Sequence, residues 1–324
     1  SDIQHLNLIR DNLLDYTYVH VDQIYAPSAT AAQVTTALNA GRGFGNYTGH
    51  GNNTSWGTTG FSNTHVNALT NDYMLPFYVS VACLNGNFTG TTCFAEAWLR
   101  ATNNVTGAPT GALVFYASTR SQLWQPPMSA QQEITQLLVN DQKNTIGGLF
   151  FNGSCQMIDD YPSTSEGPDE FRYWHIFGDA SLQVRSDIPQ EISANHLNET
   201  FIGLDYFEVQ TDTPDLLVSI THEGEILASD YTGADGNITL TFDEPPLEPM
   251  DLTLTITGYN KVTYDTTITV IPSEGPYVVI QEVNIEGSDD NTADYGDDVS
   301  LNVRLGNVGI ETAYMVEATL MTED

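Results

Sequence analysis

Residues 43–87, GFGNYTGHGNNTSWGTTGFSNTHVNALTNDYMLPFYVSVACLNGN, decide the fold, because they hold two short apolar runs that each end in a reactive side chain. The first run ends at His50-Gly51, and the second, residues 77–82, ends at Cys83. Such runs, closed by glycine-rich turns and separated by an amphipathic segment, are typical of buried parallel strands joined by a crossover helix. Loops at the carboxyl ends of these strands collect ligands and chemistry, so we expect His50 and Cys83 to lie side by side.

A thiol beside an imidazole is the minimum for a cysteine nucleophile, because the imidazole favours the thiolate and later protonates the leaving group. Gly51 lets a backbone N–H approach a substrate carbonyl, and the N–H of Cys83 would be a second oxyanion donor. Taken singly, Cys83 is more often a small buried hydrophobic residue and His50 a turn residue. Their placement at two strand exits favours catalysis over these alternatives.

Six stretches of the chain match one known family, both in their residues and in their order along the chain: NYTGHG (46–51), SWGTTGFSNTHVNALTN (55–71), LPFYVSVACLNGNF (75–88), CFAEAWLRA (93–101), ASTRSQLW (117–124) and IFGDASLQVR (176–185). They closely resemble the gingipains, secreted bacterial cysteine peptidases of the wider caspase-like group. The resemblance is collinear over residues 1–186 and continues more weakly to about residue 272. It implies that His50 is the catalytic base, that Cys83 is the nucleophile, and that the N–H groups of Gly51 and Cys83 form the oxyanion hole.

The resemblance also implies a pocket for a basic substrate residue. The segment SDIQH (1–5) is similar to that of the arginine-specific gingipains, so Asp2 would bind the substrate guanidinium, whose planar fork suits a carboxylate. Trp124 matches the aromatic lid of the pocket, where it can stack on the guanidinium, and Gln122 matches a further pocket position. Without the resemblance, Asp2 would be an ordinary acidic residue at a helix N-terminus. The expected activity is an endopeptidase that cleaves after Arg, and less readily after Lys.

One position of the family pattern has no counterpart. In arginine-specific gingipains a Glu about ten residues before the matching SDIQH orients the imidazole, whereas this sequence begins at Ser1. We therefore expect either a cleaved peptidase whose N-terminal fragment stays bound and carries the Glu, or an incomplete fragment; weaker substitutes are Asp11, Asp15 and Asp22. A catalytically inactive surface or secretion component and a maturation protease with one narrow target are the alternative functions.

The composition restricts the possible partners. Nine Lys and Arg against 42 Asp and Glu give a net charge of −33, which excludes non-specific nucleic-acid binding and argues against anionic membrane surfaces. Such a charge attracts cationic peptides and suggests a saline or extracellular setting, which simple solubility explains equally well. The resemblance to the gingipains implies a secreted or cell-surface protein of a bacterium. No run approaches 18 apolar residues, so the sequence predicts no membrane span.

No cofactor is needed for this chemistry, and the metal-binding signals are weak. The acidic segment 159–170 offers oxygen ligands for calcium, which gingipains bind, but its spacing matches no EF-hand and a solvated loop is the favoured alternative. Its acidic residues are Asp159, Asp160, Glu166, Asp169 and Glu170. Cys93 and Cys155 either pair with each other or are both free, and no CxxC motif indicates zinc.

The pattern predicts three domains: a caspase-like α/β domain over residues 1–186, an immunoglobulin-like β-sandwich over 187–272, and an incomplete adhesion-type β domain of three strands over 277–324. The first is expected to have three layers and a mostly parallel sheet that lacks its N-terminal part. Within it, alternation at 17–25 and an apolar run at 147–153 also predict strands.

Overall fold

The computed structural model describes residues 1–272, 274–286 and 299–320. The chain divides into two compact units, Ser1–Ile188 and Pro189–Asp324, and each is described by itself. Among the described residues, no helix has the length and apolar character needed to cross a membrane.

The first unit alternates strands with helices. Its elements in chain order are α1 (Asp2–Tyr16), α2 (Ala31–Asn39), β1 (Phe44–Thr48), β2 (Gly51–Asn52), β3 (Ser55–Trp56), α3 (Asn63–Val66), β4 (Phe77–Val81), α4 (Phe94–Arg100), β5 (Val114–Ser118), α5 (Gln125–Val139), α6 (Ile146–Asp160), α7 (Gly167–Tyr173) and β6 (Trp174–Phe177).

A four-stranded sheet in the order β1-β4-β5-β6 forms the centre of this unit. Strand β4 runs parallel to β1 and to β5, and β6 closes the sheet in the antiparallel direction. The mostly parallel sheet predicted from the apolar runs is thus confirmed. Strand β1 lies at one edge of this sheet, so one side of its backbone has no neighbouring strand within it.

The two faces of the sheet are covered by different helices, which gives the three predicted layers. Alternate residues of a strand point to opposite faces. Tyr78 on β4 and Phe115 on β5 face a core built with α2, α3 and α4, around the buried rings of Trp56 and Trp98. On the opposite face, Phe150 of α6 contacts Phe77 and stacks on Tyr116. Fully burying a side chain of this size contributes about 1.5–3 kcal/mol, so both layers hold the strands in place.

The strand predicted at residues 17–25 is wrong, because the segment is irregular and pairs with no strand. Val19, on the apolar side of the alternation, is 91% exposed. Side chains hold the segment instead: Asp22 forms ion pairs with His20 and Arg42, and Tyr25 donates a hydrogen bond to Asn7. Alternation predicts a strand only where a sheet edge accepts its backbone groups, and β1 does not accept this one.

The strand predicted at residues 147–153 is also wrong, since these residues belong to helix α6. Thr145 caps the helix by accepting a hydrogen bond from the N–H of Gly148 at 3.1 Å. The buried residues recur at helical spacing: Ile146, Leu149, Phe150, Gly153 and Met157. The short run GLFFNG shows only one and a half turns of this period, which is why it resembles a buried strand.

The second unit is all β. Its strands are β7 (Ala194–His196), β8 (Glu199–Phe201), β9 (Tyr206–Thr211), β10 (Leu217–His222), β11 (Glu225–Tyr231), β12 (Asn237–Thr241), β13 (Asp251–Thr257), β14 (Tyr264–Ile271), β15 (Val278–Glu286) and β16 (Ser300–Asn307). Two sheets, β11-β10-β13-β14-β8 and β12-β9-β7, enclose one apolar core that includes Val218, Leu254 and Val209. This arrangement is a β-sandwich; its immunoglobulin-like character stays a prediction.

Strands β15 and β16 form a separate antiparallel ribbon. The sequence predicts a third strand near residues 313–323, but residues 313–320 are irregular and the rest of that stretch lies outside the described residues. The assignment of 277–324 as an incomplete adhesion-type domain stays a prediction.

Candidate active site

Strand register brings His50 and Cys83 to one end of the sheet. Thr48 at the end of β1 pairs with Val81 at the end of β4, and His50 and Cys83 each follow two residues later. The N–H of Gly49 donates to the carbonyl of Val81 at 3.1 Å, so the two chains stay in register as they leave the sheet. His50 is exposed and Cys83 is half-buried, as two groups that must reach a substrate require.

Two hydrogen bonds to its carbonyl hold the backbone of His50 in place. Its carbonyl accepts hydrogen bonds from the Tyr47 hydroxyl at 2.8 Å and from the N–H of Gly57 at 2.6 Å. The imidazole faces the indole of Trp124, with ring centroids 5.6 Å apart. Within the described residues, no group hydrogen-bonds to the ring nitrogens of His50. The ring is therefore positioned by its backbone and by Trp124.

Gly51 lies directly against the turn that carries Cys83. A Cβ added to Gly51 would lie 2.8 Å from the Cβ of Ala82 and 3.1 Å from the carbonyl oxygen of Cys83. No side chain fits in that space, so the peptide backbones of Gly51 and Cys83 approach each other closely.

The turn after Cys83 is strained and firmly held. Leu84 has a φ of 64°, a left-handed conformation that costs a non-glycine residue on the order of 1–3 kcal/mol. Its N–H donates to the carbonyl of Arg120 at 3.0 Å. The fully buried Asn85 accepts from the Ser80 hydroxyl at 2.8 Å and donates to the carbonyl of Asn52 at 2.7 Å. The sequence analysis did not identify Asn85 as a residue that holds this turn, since a single Asn in a polar loop gives no signal of burial.

Asp2 and Trp124 are in direct contact. The indole N–H of Trp124 donates to Oδ1 of Asp2 at 3.0 Å, across 122 positions of sequence. Asp2 is also the first residue of α1, so its position satisfies the alternative of an acidic helix N-terminus as well. Trp124 therefore contacts both the Asp2 carboxylate and the His50 ring.

Gln122 lies two residues before Trp124, on the same loop. Both its amide nitrogen and its amide oxygen are buried and have no hydrogen-bond partner within the described part of the chain. An unpaired buried amide is costly, about 1–3 kcal/mol.

A polar network that the sequence did not reveal lies beneath the site. His5 of α1 contacts Oε1 of Gln131 at 2.9 Å, and the same oxygen accepts from the Thr48 hydroxyl at 2.8 Å. Gln131 is completely buried, and burial lowers the pKa of His5. The network joins α1 and α5 to the end of β1, two residues before His50.

The other two thiols are poor nucleophiles. All three cysteines are free, so Cys93 and Cys155 do not pair. Burial raises the pKa of Cys93 to about 11, and its N–H is occupied by the carboxylate of Glu96 at 2.8 Å. Burial and the nearby Asp159 raise the pKa of Cys155.

The carboxylates of the acidic segment 159–170 contact different neighbours. Among the described residues, no group of three or more His, Cys, Asp or Glu side chains is placed to hold a metal ion. Asp160 accepts hydrogen bonds from Ser129 and Gln156, and Asp169 pairs with Arg172. Glu170 points inward and accepts from the N–H of Leu123. These oxygens have separate partners, and calcium binding by this segment stays a prediction.

None of the substitute carboxylates contacts His50. Asp11 pairs with Arg10, and Asp22 pairs with His20 and Arg42. No hydrogen bond joins Asp15 to the imidazole either, and Asp15 is exposed on α1. The weaker candidates for an orienting group thus have other positions in the described structure.

Known proteins resemble this chain over most of its length. The family model described as Peptidase family C25 matches residues 4–185. Gingipain R2 of Porphyromonas gingivalis (strain ATCC BAA-308 / W83) is 36% identical over 291 residues, which are 86% of this chain and 39% of that protein. Gingipain R1 of Porphyromonas gingivalis is 36% identical over 282 residues, covering 86% of this chain and 28% of that protein.

Solved structures give the same result. The crystal structure of the Arg specific cysteine proteinase gingipain R (RGPB) matches with a TM-score of 0.77 at 37% identity, over 84% of this chain and 63% of that one. The complex of Porphyromonas gingivalis RgpB pro- and mature domains matches with a TM-score of 0.76 at 36% identity, over 84% and 64%. The chain spans about two fifths of the gingipain R2 sequence that it matches. With the caspase-like fold shared and the family model covering more than half its residues, the chain belongs to peptidase family C25.

Proposed function

We propose that this chain carries the nucleophile, the base and the specificity pocket of a cysteine endopeptidase that cleaves after Arg. The observation that supports it most directly is the hydrogen bond of 3.0 Å from Trp124 to Asp2, with the Trp124 ring beside His50. It puts a carboxylate and an aromatic face, the two groups that recognise a guanidinium, next to the base at the strand exits.

In the proposed reaction, Sγ of Cys83 attacks the scissile carbonyl carbon while His50 takes the thiol proton. The carbonyl oxygen becomes an oxyanion, which the N–H groups of Gly51 and Cys83 stabilise. His50 then gives the proton to the leaving amine as the C–N bond breaks, leaving a thioester on Cys83. A water molecule attacks the thioester, gives a proton to His50, and releases the carboxylic acid; the proton returns to Cys83.

The pocket selects the residue before the cut. Asp2 accepts two parallel hydrogen bonds from a guanidinium, whereas the ammonium of Lys is a point charge that lacks this fork. The indole N–H of Trp124 fixes the orientation of the Asp2 carboxylate and leaves the ring face for stacking. The unpaired amide of Gln122 supplies a further polar contact. Arg should therefore be preferred over Lys.

We further propose that another segment of the same precursor supplies the carboxylate that orients His50. Strand β1 is an edge of its sheet, and a cavity of about 620 Å³ lies beside it, lined by α1, α2 and β1. Apolar residues such as Leu6, Val34 and Tyr47 line this cavity, which suits further secondary structure of the domain. A secreted or cell-surface location is also proposed, supported by the net charge of −33.

Hydrolysis of matched fluorogenic peptides tests the function, with Arg, Lys or Gln before the reporter group. The whole precursor is assayed, together with its Cys83→Ala variant. We expect turnover of the Arg peptide above the Lys peptide, none of the Gln peptide, and a loss in C83A of at least about 10³-fold. C83A should unfold at the same temperature as the wild type, because one sulfur atom is removed from a half-buried site.

Undiminished turnover in C83A would overturn the nucleophile assignment. A folded precursor that hydrolyses none of the peptides would favour the inactive surface component instead, an alternative supported by the His50 ring having no orienting hydrogen bond among the described residues. Turnover confined to one sequence around the Arg would indicate the narrow maturation protease.

A further inference from the structure

Glu170 is a buried carboxyl group that the proposed mechanism does not use. It is 2% exposed, and it is the single acidic residue in the buried class among the described part of the chain. Its Oε1 accepts a hydrogen bond from the N–H of Leu123 at 2.6 Å. Leu123 stands between Gln122 and Trp124, so this bond holds the peptide that joins the two pocket residues.

The loop after β5 is fixed at three points along its length. At its start, the N–H of Thr119 donates to the carbonyl of Tyr173 at 2.8 Å. In the middle, the carbonyl of Arg120 accepts from Leu84, the residue after the nucleophile. Near its end stands the bond from Leu123 to Glu170. Beyond Arg120, Glu170 is the protein group that fixes the backbone of this loop before Trp124 meets Asp2.

The surroundings of Glu170 are unfavourable for a carboxylate. Its second oxygen, Oε2, is buried without a hydrogen bond of normal geometry, although the indole of Trp174 lies close enough to favour the ionised form. Burial, with a contribution from the neighbouring Asp169, raises the pKa of Glu170. A buried carboxyl with one hydrogen bond destabilises the fold relative to an apolar side chain of the same size. Since Glu170 does not stabilise the fold, its contribution lies in the hydrogen bond by which Oε1 positions the backbone of Leu123.

We propose that Glu170 is a positioning residue of the Arg pocket, which by binding the Leu123 N–H holds Gln122 and Trp124 in place against Asp2. The inference rests on the proposed function, because it concerns the pocket for the substrate guanidinium. Glu170 touches neither substrate nor the reacting atoms. It acts through the backbone of the loop.

Two isosteric substitutions separate the hydrogen bond from the packing. Glu170→Gln keeps an oxygen that accepts from Leu123, and Glu170→Met fills the same volume without an acceptor. Asp169→Ala, on the same turn of α7, removes a partly exposed carboxylate and its ion pair with Arg172, and serves as the control. All are made in the whole precursor.

We expect E170M to raise KM for the Arg peptide about tenfold with kcat changed less than about threefold, because the pocket is displaced and the nucleophile is not. E170Q should stay within about threefold of the wild type, as a neutral hydrogen bond replaces a charge-assisted one. D169A should match the wild type. Preference for Arg over Lys should fall in E170M alone.

Alkylation of Cys83 by iodoacetamide, followed by mass spectrometry, gives a readout that does not need turnover. Benzamidine carries an amidinium like that of Arg and should slow the alkylation by occupying the pocket. In E170M the unprotected rate should equal that of the wild type, while the benzamidine concentration for half protection should rise about tenfold.

The outcomes separate the two proposals. If the wild type hydrolyses no Arg peptide but benzamidine protects Cys83, the proposed function fails and the protection data still decide the role of Glu170. Equal KM and equal protection in E170M and wild type would overturn the positioning role. It would also be overturned if E170Q failed as badly as E170M, if E170M lost the unprotected alkylation rate, or if benzamidine did not protect the wild type.

Discussion

At the scale of single residues, the site depends on how closely two backbones approach. Gly51 and the turn at Cys83 leave no room for a Cβ, and the strained Leu84 is held by Arg120. The imidazole and the thiol are thus placed by local geometry at two strand ends. The proposed oxyanion hole requires in addition that the donors already point at the developing charge.

Gly51→Ala should lower kcat for the Arg peptide about 10²-fold with little change in KM, because the added Cβ would press on Ala82 and Cys83 O and displace an oxyanion donor. Gly43→Ala is the matched control, since its added Cβ has its nearest neighbour at 3.9 Å, in ordinary contact. Steady-state kinetics of both variants provide the check. If G51A kept its kcat, the oxyanion role of Gly51 would be wrong.

At the scale of secondary structure, the helices behind the sheet pack through small residues. Gly153 of α6 faces α5, where an added Cβ would meet Ile134 and lie 3.1 Å from the carbonyl oxygen of Ala130. This close approach brings Phe150 onto Tyr116 and Phe77 and so supports the strands that lead to the site. Helix propensity alone would favour Ala over Gly by about 1 kcal/mol.

Gly153→Ala should lower the free energy of unfolding by about 1–3 kcal/mol, because the overpacking outweighs the gain in propensity. Asn152→Ala, on the exposed side of the same helix, should leave stability unchanged or slightly raised. Urea unfolding followed by far-UV circular dichroism measures both variants. A G153A variant more stable than the wild type would contradict the proposed close packing.

Sequence reasoning succeeded where the apolar pattern is complete and failed where it is partial. The runs before His50 and Cys83 are short, apolar and followed by glycine-containing turns, so both strands and the joint position of the two residues were predictable. Residues 17–25 alternate without a neighbouring strand, and residues 147–153 cover too little of α6 to show its period. The buried polar contacts were not predictable, because they depend on partners far away in sequence and no periodicity predicts a buried polar side chain. They are those of Asn85, of Glu170 and between His5 and Gln131.

The prediction that Asp2 belongs to a substrate pocket has a different origin. Nothing in the pattern of α1 separates a pocket carboxylate from a helix-terminal one, and the contact with Trp124 spans 122 positions. Only the resemblance to the gingipains singled out Asp2, Gln122 and Trp124. The structure then joins Asp2 to Trp124 by a hydrogen bond and leaves the amide of Gln122 unpaired.

At the scale of the whole molecule, charge is distributed unevenly. Residues 189–324 contain 27 Asp and Glu and two Lys and Arg, which is −25 of the total of −33, whereas residues 1–188 contain 15 and seven, which is −8. The all-β unit therefore dominates the electrostatic field of the chain. A field of this sign raises the local concentration of cationic peptides and repels anionic ones.

The rate constant kcat/KM should depend on salt in opposite directions for two peptides that share a single Arg. For a peptide of net positive charge it should fall as ionic strength rises from about 0.02 M to about 0.5 M, where the Debye length shrinks below about 5 Å. For a peptide made anionic by Gln→Glu replacements it should rise. Identical salt responses for both peptides would mean that the field does not steer substrates.

The loop from Ser118 to Trp124 connects the proposed pocket to the proposed nucleophile. It carries Gln122 and Trp124, and its Arg120 carbonyl also accepts a hydrogen bond from Leu84, next to Cys83. A redesign that moves Arg120, and not only residues 122–124, will disturb the turn at Cys83 at the same time. New specificities that need such a change should therefore appear first as slow enzymes, and recovery of speed should require later changes around Leu84 and Asn85, outside the pocket itself.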